Sequence, residues 1–272
     1  MNSKPAKAAR TEKTQIVKQN QFLQRLQTAN NSRTYKCLIY GPSRSGKTTF
    51  AATSGLFDQS APALLLDFEG GSGSAAGIDN VSVLNVSDWK DFNEACEFIW
   101  SDANIFKTVI VDSISELHVF SLLGIIDHEM ANNQNRASRG DHNTPEQSDY
   151  GKSLVQMRRF LRTVRDLPVH VIVTSLSTVE VFPREGNVRV PALFGKLSTE
   201  VVGMFPIVGY LVNEKERNVK SKEHEFKRQL YLQNTEGMRV GVRKPFTVEF
   251  PNVLENPNVE KLFTMLNQAY GG

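Results

Sequence analysis

The stretch LIYGPSRSGKTTF, residues 38 to 50, constrains the fold of this 272-residue chain more than any other. It fits G-x-x-x-x-G-K-[ST] as Gly41, Gly46, Lys47 and Thr48. The glycines let the backbone wrap closely around an anion with its N–H groups turned inward. The lysine adds a point charge between β- and γ-phosphates, and the threonine hydroxyl is a ligand for Mg²⁺. Such a loop needs a buried strand before it and a helix after it. KCLIY (36–40) reads as the strand, and the residues from about Gly46 to Ser54 suit a helix whose N-terminal N–H groups favour an anion. Gly41, Pro42, Ser43, Arg44, Ser45, Gly46, Lys47, Thr48 and Thr49 are therefore expected to hold phosphate, the alternative being an ordinary polar turn.

The rest of the chain repeats this alternation. PALLLD (62–67), VSVLNV (81–86), KTVIVDS (107–113) and VHVIVTS (169–175) are short continuous apolar runs. Between them, DWKDFNEACEFIW places Trp89, Phe92, Ala95, Cys96 and Ile99 at helical spacing. SISELHVFSLLGIIDHEM is a largely apolar helix, and Tyr150, Leu154, Met157, Leu161 and Val164 form one stripe of another. Non-alternating strands separated by helices imply a mainly parallel sheet covered on both faces, an α/β fold. After residue 205, PIVGYLVN, KRQLYLQ and PFTVEF read as antiparallel strands extending that sheet, closed by a helix at NVEKLFTMLNQAY. No Pro/Gly/Ser-rich linker interrupts the run, so residues 35–272 are expected to form one domain. The polar segment 131–149 reads as a mobile loop.

Charge is unevenly placed. The net charge is only +3, yet residues 1–36 carry Lys4, Lys7, Arg10, Lys13, Lys18, Arg25, Arg33 and Lys36 against one acid, Glu12. Residues 1–34 thus read as a basic arm. It is either a solvated tail or a short helix, with Ile16, Leu23 and Leu26 on one face, docking on a neighbouring subunit or on DNA. Two cysteines in apolar segments suit buried free thiols and a reducing compartment. With no apolar run of 18 residues and no apolar core in the first thirty, a cytoplasmic protein without membrane association is expected.

Two further acids stand where a bound nucleotide would need them. Mg²⁺ requires a carboxylate opposite the P-loop hydroxyl, and TVIVDS supplies Asp112; the competing reading is that Asp112 or Ser113 caps the following helix. Hydrolysis requires a group that orients water, and LLLDFEGG offers Glu69, with Asp67 assigned a structural part. Lys47 and Glu69 are the expected catalytic pair, and Thr48 and Asp112 the metal ligands. At the end of VHVIVTS, Thr174 and Ser175 are placed to sense the γ-phosphate.

Taken together, Gly41 to Thr49, Asp67-Phe68-Glu69, VIVDS and VIVTS resemble the RecA-like ATPase core. DYGKSLVQMRRFLRTVRDLPVHVIVTS, PALFGKLSTEVVGMFPIVGYL and RKPFTVEFPN are similar to phage-encoded RecA-like nucleotide-binding proteins, the short recombinase or single-strand annealing ATPases. This resemblance, over residues 35 to 268, implies an ATP- and Mg²⁺-dependent protein acting on single-stranded DNA as a ring or filament of identical subunits. Such a protein would work in the host cytoplasm if phage-encoded, and would meet a single-strand binding protein or other replication partners. The chain departs from the wider fold in having Thr174, Ser175 and Leu176 where Gln or His often senses the γ-phosphate.

Filament-forming relatives supply basic fingers from the next subunit. Lys196, Arg243 and Lys244 are candidates here, with ordinary surface charges as the alternative. Single-strand binding wants cations and stacking aromatics. Arg136 and Arg139 of the polar loop, and Phe182, Arg184 and Arg189 of segment 177–196, are candidates, the latter segment being either a DNA-contacting loop or a structural hairpin. Two other function classes stay open: a nucleotide-gated scaffold or loader with little hydrolysis, and a different P-loop enzyme such as a helicase-like motor or a kinase.

Overall fold

The computed structural model describes residues 34–102, 105–133, 144–217, 224–233, 235–245 and 247–271. These belong to one compact unit, Thr34–Gly272. The N-terminal arm to residue 33, most of the polar loop, and Arg136 and Arg139 within it lie outside the described residues.

The apolar runs are strands: β1 (Lys36–Gly41), β2 (Ala63–Asp67), β3 (Val81–Asn85), β4 (Thr108–Asp112) and β5 (His170–Phe182). Helices α1 (Lys47–Ala52), α2 (Trp89–Asp102), α3 (Ile114–Asn132) and α4 (Gln147–Arg165) fall between them. Then follow β6 (Gly186–Pro191), α5 (Leu197–Met204), β7 (Ile207–Arg217), β8 (His224–Tyr231), β9 (Gly241–Val242), β10 (Val253–Glu255) and α6 (Val259–Tyr270). The sheet runs β10-β8-β7-β1-β5-β4-β2-β3, with β6 paired to β5 and β9 to β7. Strands β3, β2, β4, β5, β1 and β7 are mutually parallel, and β8, β9 and β10 are antiparallel additions.

Every residue of β1, β2 and β4 is buried, because helices cover both faces. Strand alternation sorts the side chains. Leu38, Tyr40, Leu64, Leu66, Val109, Val111, Val171 and Val173 face a core shared with α2, α3, α4 and α5. Cys37, Ile39, Leu65, Ile110 and Ile172 face the other way, onto Phe50 and Ala51 of α1 and Leu262, Phe263 and Leu266 of α6. Both cysteines are free thiols, pushed up to about 12 by burial. Among the described residues no helix is long and apolar enough to cross a membrane.

The fold is thus the expected mainly parallel α/β sheet with antiparallel C-terminal strands, corrected in two details. PIVGYLVN forms a strand that runs parallel to β1, with Cys37 opposite Ile207, since chain direction is set by how α5 brings the chain back and not by the apolar run itself. PFTVEF contributes no strand among its described residues; the short β10 after it takes the edge instead. Pro245 and Pro251, which cannot donate to a ladder, bracket the segment.

Candidate nucleotide-binding site

Parallel strands bring their C-terminal ends to one edge of the sheet. The register sets Gly41 beside Leu176 and Tyr40 beside Ser175, and Asp67 beside Asp112. The P-loop, Glu69, Asp112, Thr174 and Ser175 therefore arrive at one place from four strands that are far apart in sequence.

The loop itself is tightly fitted. A Cβ on Gly41 would fall 2.0 Å from the Leu211 carbonyl oxygen of β7, so no larger residue fits there. Arg44 at φ 62° and Gly46 at φ 90° both take the left-handed conformation, which turns successive N–H groups inward as an anion nest. Lys47 is buried, its Nζ donating to the Gly41 carbonyl at 3.1 Å and the Pro42 carbonyl at 2.7 Å. Burial pulls its ammonium below the usual lysine range, while the Glu69 and Asp112 carboxylates pull it back up.

Asp112 is the hub. Thr48 Oγ1 donates to its Oδ2 at 2.6 Å, and Thr174 Oγ1 donates to its Oδ1. Burial raises this carboxyl above its ordinary value, the two threonine hydroxyls lower it, and the Glu69 and Asp67 charges raise it further. Ser113 stands at the N-cap of α3 but does not cap it with its side chain; its hydroxyl donates to Glu69 Oε1 instead. Glu69 rides on a turn tied down by Asp67, whose carboxylate accepts from the N–H groups of Glu69 and Gly71 at 3.1 Å each and of Ser72 at 2.8 Å.

Thr174 thus lies behind Asp112, fully buried. Ser175 shares a hydroxyl contact of 3.0 Å with Ser115 of α3, which also accepts the Leu176 N–H at 3.0 Å. Neither hydroxyl is free to face a γ-phosphate directly; each ties the end of β5 to a neighbour. Sequence reasoning did not single out Ser113 as Glu69's partner, nor Ser115. It also passed over Glu116, whose carboxyl is raised first by burial and then by the nearby Glu69 charge. Their common signal is the polar SISE run directly after an apolar strand.

The other candidates are spread out. Residues 177–191 form the antiparallel β5–β6 hairpin, with Val179 and Val181 exposed. Phe182 lies under the Arg239 guanidinium at 4.8 Å, and Arg239 pairs with Glu185 at 2.8 Å. Arg189 lies 5.8 Å from the Tyr210 ring centroid, and Arg184 is exposed. Lys196 is exposed ahead of α5, whereas Arg243 donates to the Gly203 carbonyl at 2.6 Å and Lys244 to that of Val248. The two latter cations are thus engaged within their own chain.

A family model described as an AAA domain matches residues 33–243. The chain belongs to this AAA-domain family. The matched span holds every element from β1 to β9 and leaves β10 and α6 outside it. Among solved structures, a KaiC-like protein from the hyperthermophilic archaeon Pyrococcus horikoshii OT3 is similar at 15% identity, over 82% of this chain and 89% of that one, with a TM-score of 0.44. The RadB recombinase is similar at 17% identity over 75% and 84%, with a TM-score of 0.45. No curated protein matches the chain.

The residues of this AAA domain suit a nucleoside triphosphate with Mg²⁺. Ser45 Oγ is buried in the P-loop without a hydrogen-bond partner among the described residues, an orphan that an anion's oxygen or a water on it would satisfy. Thr48 and Asp112 form an oxygen pair of the kind a hard divalent cation takes.

Proposed function

We propose that this AAA domain binds and hydrolyses ATP with Mg²⁺ and acts on single-stranded DNA in recombination, strand annealing or repair, as a ring or filament of identical subunits. The observation that carries the reading is the pair of polar bridges across the strand ends: Thr48 to Asp112, and Ser113 to Glu69. They put a metal-type oxygen pair and an oriented carboxylate at one edge beside the P-loop lysine. Mg²⁺ held by Thr48 and Asp112 would supply charge neutralisation to the phosphates. Lys47 exchanges its loop carbonyls for phosphate oxygens, Thr48 and Asp112 hold the cation, and Glu69 takes the proton of the attacking water, with Ser113 setting its direction.

The DNA part rests on the resemblance to phage-encoded recombination ATPases, on the basic arm, and on the exposed hairpin with Arg184 at its turn. In this reading residues 1–34 are an accessory arm to an ATPase domain beginning at residue 35, in a protein of the cytoplasm, the host's if it is phage-encoded. Lys196 is the better-placed finger for a neighbouring subunit, since Arg243 and Lys244 are spent on carbonyls. A scaffold that binds ATP and scarcely hydrolyses it is favoured by one observation, the engagement of both Thr174 and Ser175 within the chain.

The test is ATP hydrolysis by the full chain with and without single-stranded DNA at two salt concentrations, with Lys47→Ala as control. Stimulation by DNA that fades at high salt, and no activity in the variant, is the expected result. Hydrolysis indifferent to DNA overturns the DNA role, and full activity of Lys47→Ala overturns the site.

A further inference from the structure

The flank of β1 away from Asp112 carries a cation that the site as described does not use. Arg228 lies on β8, opposite Asn213 of β7. By strand alternation residues 228, 230 and 232 share a face, and Leu230 and Leu232 are buried in the core under α1 and α6. A guanidinium therefore ends an apolar row, a position where charge is costly unless it is paired. Yet among the described residues no carboxylate is within ion-pair distance of it, and its Nε is buried with no hydrogen-bond partner.

The guanidinium rests on the P-loop. A Cβ added to Gly46 would lie 2.7 Å from Arg228 Cζ and 2.9 Å from both Nε and Nη2. Neighbouring contacts fix this corner: Asn213 Nδ2 of β7 donates to the Arg44 carbonyl of the loop at 3.3 Å, and the Asn256 N–H donates to the Arg228 carbonyl at 2.8 Å. Gly46 thus has two reasons to be glycine, its left-handed φ of 90° and the cation packed against it.

We infer that Arg228 is a nucleotide-binding residue supplied in cis, pairing with phosphate charge on the nucleoside side of the P-loop. The inference rests on the ATP-binding reading given above. The sheet order gives the side. Asp112 and Glu69 follow β4 and β2 on one flank of β1, and β7 and β8 stand on the other. The metal and the terminal phosphate belong to the carboxylate flank, so the inner phosphate and the nucleoside are left to the flank of Arg228. A planar guanidinium suits phosphate oxygens, which it grips with two N–H groups at once.

The experiment is calorimetric titration of the full chain with ADP and with a non-hydrolysable ATP analogue, both with Mg²⁺, alongside melting curves of the nucleotide-free proteins. Arg228→Ala is expected to weaken both ligands alike by about 10- to 100-fold, the range of lost hydrogen bonds to a charged group. Arg228→Lys should recover part of the loss, and the melting temperature should stay near wild type. Wild-type ADP affinity in Arg228→Ala overturns the inference, and so does a loss confined to the ATP analogue, which would put the cation at the terminal phosphate. Should Arg228→Ala fail to fold, Arg228→Gln carries the same expectations. If the wild-type chain binds neither nucleotide, the ATP-binding reading itself has failed, a result separable from the others.

Discussion

On one flank of β1 the strand ends are wired to one another: Asp112 to Thr48 and Thr174, Glu69 to Ser113, Ser175 to Ser115. On the other flank Leu211 backs Gly41, Asn213 donates to the loop and Arg228 packs on Gly46, the arginine's buried Nε having no hydrogen-bond partner among the described residues. The first flank has its geometry set before any ligand arrives, as preorganised stabilisation requires. The second keeps a single cation in reserve. Affinity and turnover should therefore be separable by mutation.

The largest effect should come from Glu69→Gln, which keeps the shape and removes the proposed base. Turnover is expected to fall by about 10²–10⁴-fold in steady-state assays while ADP affinity stays unchanged; a matching loss of ADP binding would break the separation. Next is Asp112, a carboxyl whose value burial raises in the folded chain above the ordinary 3.8. The folded state then holds a proton that the unfolded chain releases, so this group's contribution to stability declines as pH rises through the interval above 3.8. Nucleotide-free Asp112→Asn should lack that decline in melting curves taken across acid pH, and an unchanged pH profile would show that its environment does not disfavour the charge. The smallest effect should be that of Asn213→Ala. Losing one neutral hydrogen bond of about 1 kcal/mol, it should weaken ADP by a few-fold at most and leave turnover at saturation intact.

The two flanks also differed in how far they could be read from the chain. β1, β2, β4 and β5 carry continuous apolar runs because both their faces are covered, and few arrangements besides a covered parallel sheet produce that pattern. Their polar ends, Asp112, Glu69 and Thr174, stand out against it. Beyond residue 205 charged stretches separate the strands, and PIVGYLVN, a run buried continuously from Ile207 to Leu211, says nothing of its own direction, which is why a parallel neighbour of β1 reads as an antiparallel addition. Arg228 was hidden for a related reason. In KRQLYL it is one of two adjacent cations, and only the pairing of Leu230 and Leu232 with the inner core shows that this one points inward. Ser113 was readable as a cap because a serine between a strand and a helix usually is one; its bond to Glu69 depends on a residue 44 positions away.

Strand β5 runs unbroken from His170 to Phe182. Its inner half carries Thr174, bonded to Asp112, and its outer half is one arm of the exposed hairpin with β6. From Thr174 to Phe182 is about 26 Å at roughly 3.3 Å per residue. No glycine, proline or bulge interrupts the span. Val179, Val181 and the turn at Arg184 therefore continue directly from the strand whose inner half holds the Asp112 contact, with no intervening loop between the two.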